Sequence, residues 1–152
     1  MPSQRPSAEH VLAALTAQLS AAGTAPDGAD FAGRGVAELQ SACVDAVLAA
    51  LDAGAAADPG ALRVAVRYLL DRLASAAPGR AVEVRVPPYG AVQCIAGPSH
   101  SRGTPPNVVE MGPVSWLLLA TGRLAWPDAV GRGEVRASGP RADLSASLPV
   151  SR

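Results

Sequence analysis

Two periods divide the chain. In the first half, apolar residues recur at spacings of three and four: Val11, Leu15, Leu19 and Ala22, then Val36, Leu39, Cys43, Val47 and Leu51, then Leu62, Val66, Leu69 and Leu73. Each set lines one face of a helix with a period of 3.6 residues. Ser7 precedes the first set and Gly23 follows it, Gly54 closes the second, and Asp58-Pro59 opens the third as a cap followed by a proline at the first helical position. Residues 23–35, GTAPDGADFAGRG, are loop by composition. Arg67 and Asp71 stand four apart on the outer side of the third helix, a pair that contributes a few tenths of a kcal/mol.

Pro78-Gly79 breaks this pattern, and from Arg80 the period falls to two. Val82, Val84 and Val86 face one way, and Glu83 and Arg85 the other. The turn residues Pro87-Pro88-Tyr89-Gly90 then return the chain into residues 91–96, predicting an antiparallel hairpin. Residues 97–107, GPSHSRGTPPN, are too long and too polar for a tight turn and form a candidate ligand-facing rim.

Residues 107–148 carry most of the bulky apolar side chains: a strand, a short helix from Pro113 to Gly122, a second short helix opened by Pro127 and Asp128, and two strands. Trp116, Leu117, Leu118 and Leu119 surround the first of these helices with apolar side chains, so more than one of its faces must be covered. Val135 and Ala137 alternate with Glu134, Arg136 and Ser138, and after Gly139-Pro140 Leu144, Ala146 and Leu148 alternate with Asp143, Ser145 and Ser147. The expectation is an α+β fold: a mixed, mostly antiparallel five-stranded sheet with helices packed on one face, preceded by N-terminal helices. Residues 1–78 form the helical region and 79–152 the sheet-bearing region, packed together as one compact unit.

Composition adds exclusions. Thirteen basic residues, all arginine, balance thirteen acids, so neutrality gives no electrostatic reason to expect nucleic acid or an anionic membrane as partner. Only two cysteines occur, Cys43 and Cys94, with no disulfide framework, and MPSQRPSAEH is not a secretory signal. No run reaches the eighteen or so apolar residues of a membrane span. A cytoplasmic protein without stable membrane insertion is expected.

Catalytic and metal chemistry find little purchase. Cys94 and His100 are six apart with nothing to hold them in hydrogen-bond reach, and a small apolar strand residue is the plainer reading of Cys94. His10, His100, Cys43 and Cys94 lack the close pairing of zinc ligands. No cofactor, metal or catalytic residue is expected, and the chain reads as not an enzyme. His100 and Arg102 either bond the carbonyls of their own loop or, with Asn107, receive a carboxylate or phosphate head group at a polar rim. Met111, Trp116, Leu119, Trp126, Val130, Val135 and Leu144 either fill a solid core or line an apolar cavity, where the Met111 thioether would supply plasticity.

The run from the apolar helix through A-T-G-R-L (120–124), Ala129, then G-x-V-R-A-S-G (133–139) and a final alternating segment resembles the C-terminal half of the sterol carrier protein superfamily, in its bacterial branch. The likeness covers residues 80 to 150, most specifically 112 to 148. It implies helices lying against a mixed sheet around an apolar tunnel, with a lipid or other apolar small molecule as the ligand. Some relatives add an N-terminal metal-dependent bundle that acts on thiol adducts, but here only His10 precedes Pro78, so that ligand set is missing. Ligand-carrying members often close the tunnel with a terminal helix, whereas here Arg152 follows four residues after Leu148. Either the second and third helices cover that position or the cavity is open or absent. The alternative is a scaffold or regulatory protein with a filled core, acting as a homodimer or through another protein partner.

Overall fold

The computed structural model describes residues 4–24, 27–98 and 106–152. The chain divides into two compact units, Met1–Ala65 and Val66–Arg152, and the division falls inside a helix rather than at Pro78-Gly79.

The first unit is helical. Helix α1 (Ala8–Ala21) is capped by Ser7, whose hydroxyl accepts the His10 N–H at 3.1 Å, and α2 runs over Val36–Asp52. Between them the expected loop contains a turn of 3-10 helix, Gly28–Phe31. Val11, Ala14, Leu15, Leu39, Cys43 and Val64 form the core of this unit, so the middle of each stripe read from spacing is buried, while Ala22 at the end of the first is exposed. The third helix, α3 (Pro59–Ala76), begins here. Asp58 caps it, accepting the Ala61 N–H at 3.0 Å, and the Asp58 N–H donates in turn to Oε1 of the buried Gln18 at 2.7 Å. A buried glutamine on α1 therefore fixes where α3 starts.

The second unit contains the rest of α3 and a four-stranded mixed sheet in the order β2-β1-β3-β4. Strands β1 (Val82–Val86) and β2 (Gly90–Cys94) form the expected antiparallel hairpin. Strand β3 (Val108–Met111) pairs parallel with β1, and β4 (Val135–Ser138) pairs antiparallel with β3. Helices α4 (Pro113–Ala120) and α5 (Trp126–Gly131) lie between β3 and β4 in the chain.

The α+β class and the mixed sheet hold, but the five-stranded, mostly antiparallel expectation is corrected to four strands with one parallel pair at the centre of the sheet. The missing strand is the alternation around Leu144. There the Asp143 carboxylate accepts the Ser145 N–H at 2.8 Å and the Ser147 N–H reaches the Leu144 carbonyl, which curls Ser145–Ser147 into a 3-10 turn. Side-chain bonds of this kind compete directly with a ladder. The Ser145 hydroxyl and N–H also hold the Asp143 carboxyl below the ordinary carboxylate range.

Register gives the sheet two unlike faces. Val84 lies opposite both Val92 and Val109, Val82 opposite Cys94, and Met111 opposite Val135. On the other face Arg85 lies opposite Glu110, which lies opposite Arg136. The apolar face is the covered one. Leu70 and Arg67 of α3 approach Gly90, and the Trp116 indole of α4 donates to the Val66 carbonyl of α3 at 3.2 Å. Among the described residues no helix is long and apolar enough to cross a membrane.

Candidate functional site

The apolar layer of the second unit is built from both its helices and its sheet. Trp116, Leu117, Leu119 and Ala120 are buried on α4, and Val82, Val84, Val86, Val109, Met111 and Val135 on the strands. Leu69, Leu70 and Leu73 are buried on α3. The expectation that α4 is covered on more than one face is met, since only Val114 of its apolar side chains is well exposed. Past the 3-10 turn, the chain returns over α4 and α3: the Val150 N–H donates to the Ala120 carbonyl at 2.9 Å, and Arg72 Nε to the Ser151 carbonyl at 2.9 Å.

Of the apolar residues singled out from sequence, Met111, Trp116, Leu119, Val135 and Leu144 are buried in this unit, and Met111 and Val135 are cross-strand partners. Trp126 is half-buried at the start of α5. Val130 stands apart from the group, 44% exposed, because α5 buries Ala129 instead. The third helix, one of the two named as a possible cover, contributes Leu69 and Leu73 to this buried layer.

Of the polar rim, His100 and Arg102 lie outside the described residues. Asn107 is 2% exposed, and both ends of its amide are committed to backbone. Its Nδ2 donates to the Ala81 carbonyl at 2.8 Å, and its Oδ1 accepts the Arg141 N–H at 2.8 Å. It therefore brackets the start of β1 to the turn after β4. Asn107→Ala leaves a buried carbonyl and a part-buried N–H without this partner, and is expected to cost about 2–3 kcal/mol in urea denaturation.

The thiols are inert by environment. Burial pushes Cys94 up to about 11, and burial followed by the nearby Asp58 carboxylate pushes Cys43 up to about 12. A thiolate nucleophile at neutral pH is therefore unsupported at Cys94. Iodoacetamide at pH 8 is expected to leave both cysteines unmodified in the folded chain and to alkylate both in urea. Because burial favours the protonated thiol, its contribution to stability is complete below the ordinary thiol value near 9 and is lost as pH rises toward 11 and 12. Among the described residues no three His, Cys, Asp or Glu side chains are grouped to hold a metal ion.

A second feature lies at the sheet end where β3 leaves and β4 enters. An open pocket of about 330 Å³ is lined there by Pro87, Glu110, Gly112, Gly133, Glu134 and Arg136, with Met111 behind. Spacing along the chain does not reveal it, because its charges come together only through the β3–β4 register.

A mixed sheet with one apolar face under α3 and α4 defines a helix-covered α+β module. The chain belongs to the bacterial SCP ortholog family, a sterol carrier-like family whose model matches residues 58–150. The match begins at the Asp58 cap of α3, so that helix is part of the family fold rather than a preceding segment. No curated protein matches the chain.

Proposed function

We propose that the 66–152 unit is a non-catalytic binding module for a lipid or other apolar small molecule, held between the apolar face of the sheet and the helices over it. The observation that carries this reading is the burial of Trp116, Leu119, Met111, Val135 and Leu144 together in a chain that belongs to a sterol carrier-like family. Transfer of an acyl chain from water into such a layer yields about 0.8 kcal/mol per buried methylene, so a long chain needs no charged anchor to bind. Met111 can adapt, because an unbranched thioether repacks at low cost.

Titration with cis-parinaric acid, which fluoresces only in apolar surroundings, tests the reading. A saturable rise with one site per chain is expected, displaced by unlabelled fatty acid. A rise that grows linearly without saturation would remove the proposal.

A further inference from the structure

Val114 and Val130 are the large apolar side chains of the second unit that are well exposed among the described residues, and the helices that carry them are rooted at one end of the sheet. Met111 and Val135 are cross-strand partners, so α4 departs from and α5 returns to the same end of the sheet. The Ser115 hydroxyl lies 3.4 Å from Glu134 Oε2, which ties the first turn of α4 to the chain just past α5. Val114 and Val130 therefore stand at this common end, 40% and 44% exposed. One turn along each helix, Leu118 follows Val114 on α4 and Trp126 precedes Val130 on α5, both half-buried. Between the two helix roots opens the pocket that holds Arg136 and the carboxylates of Glu110 and Glu134.

The geometry points to this end of the α4–α5 pair as a docking surface for a zwitterionic phospholipid bilayer, with the two valines entering the head-group boundary and one head group seated in the pocket. A phosphate would meet the Arg136 guanidinium, and the ammonium of the same head group would meet Glu110 and Glu134. The pocket carries both signs of charge, which suits a ligand that carries both. Four side chains are too few for a stable protein interface, which takes about 20–30 residues a side. Shallow insertion of a small apolar patch beside a tryptophan is what an interfacial anchor requires. The chain's zero net charge fits as well, because no long-range attraction to an anionic surface is then called on. The surface lies outside the buried layer, so the proposal stands or falls independently of whether that layer holds a ligand.

Sedimentation of the full chain with vesicles of phosphatidylcholine and phosphatidylethanolamine tests it. The wild-type protein is expected in the pellet, with little change on raising salt, and the double variant Val114→Asp, Val130→Asp is expected to bind at least roughly tenfold more weakly. Both positions are exposed, and an unchanged circular dichroism spectrum establishes that the variant is folded. Arg136→Ser is expected to weaken binding, and unchanged binding overturns the head-group assignment. Wild-type protein left in the supernatant, or a double variant that pellets as well as wild type, overturns the whole proposal. So does a double variant that turns a dimer into a monomer in sedimentation velocity, because the occupant is then a second copy of the chain. A protein that binds cis-parinaric acid but ignores vesicles ends this proposal alone, and one that pellets but never takes the probe ends the binding-module reading alone.

Discussion

Trp116→Ala is expected to lower the stability of the chain by about 3–5 kcal/mol, the usual loss when a fully buried aromatic is truncated in a core. Trp116 is 0% exposed, and its indole N–H reaches the Val66 carbonyl of α3. It therefore does two things at once: it fills the layer beneath α4, and it ties α4 to α3 through a bond that the apolar surroundings strengthen. Truncation leaves a cavity and removes the tie. Trp116→Phe separates the two roles, since it keeps most of the ring volume and loses the donor, and a cost nearer 1–2 kcal/mol is expected for it. Urea midpoints of the three proteins, read by far-ultraviolet circular dichroism, check the ranking. Equal stability of the alanine variant and the wild type would mean that this layer is not the core of the unit.

The second large effect falls where α3 ends. Gly79 has φ +150°, and a Cβ built on it would collide with the carbonyl group of Ile95 and the Ala96 nitrogen, all backbone atoms. That stretch has no room to move. The Ile95 N–H donates to the Ala77 carbonyl at 2.7 Å, the Ile95 carbonyl accepts the Ala81 N–H at 3.0 Å, and Ile95 is itself held at φ +66°, a conformation a β-branched residue rarely takes. A methyl group at Gly79 must therefore break the junction that joins α3 to both strands of the hairpin. Gly79→Ala is expected to cost about 3–5 kcal/mol. Gly131→Ala is the control: no atom lies within 4 Å of the added carbon and φ is not positive, so a change within about 0.5 kcal/mol is expected. Thermal unfolding of the two variants distinguishes a local clash from a general intolerance of substitution.

The parts of this fold that were legible in the sequence are those written in neighbouring residues. Ser7 and Asp58 cap helices where their positions suggested, the middle of each stripe of α1, α2 and α3 is buried, and β1 and β2 pair around the turn at Pro87-Pro88. The parts that were not legible depend on distant partners or on competing local bonds. Asn107 reads as a polar loop residue until Ala81 and Arg141, 26 and 34 residues away, are brought to its two ends. The β1–β3 pairing is parallel, and no hydrophobic pattern records that direction. Leu144 lies in a stretch that alternates like a strand, yet one carboxylate–amide bond at Asp143 turns it away from the sheet. Helix α5 has only six residues, too few for spacing to define a face, so the exposure of Val130 and the burial of Ala129 were not legible from it.

The apolar layer itself was legible as a list of side chains, but the list fitted a solid core and a ligand site equally well. Membership of the sterol carrier-like family is what favours a binding role for it. Native mass spectrometry of the freshly purified chain puts that role to its most direct test. The account predicts a population heavier than the sequence mass by one lipid-sized molecule, lost on gentle activation; a single mass equal to the bare chain, unchanged after incubation with fatty acids or phospholipids, would contradict it.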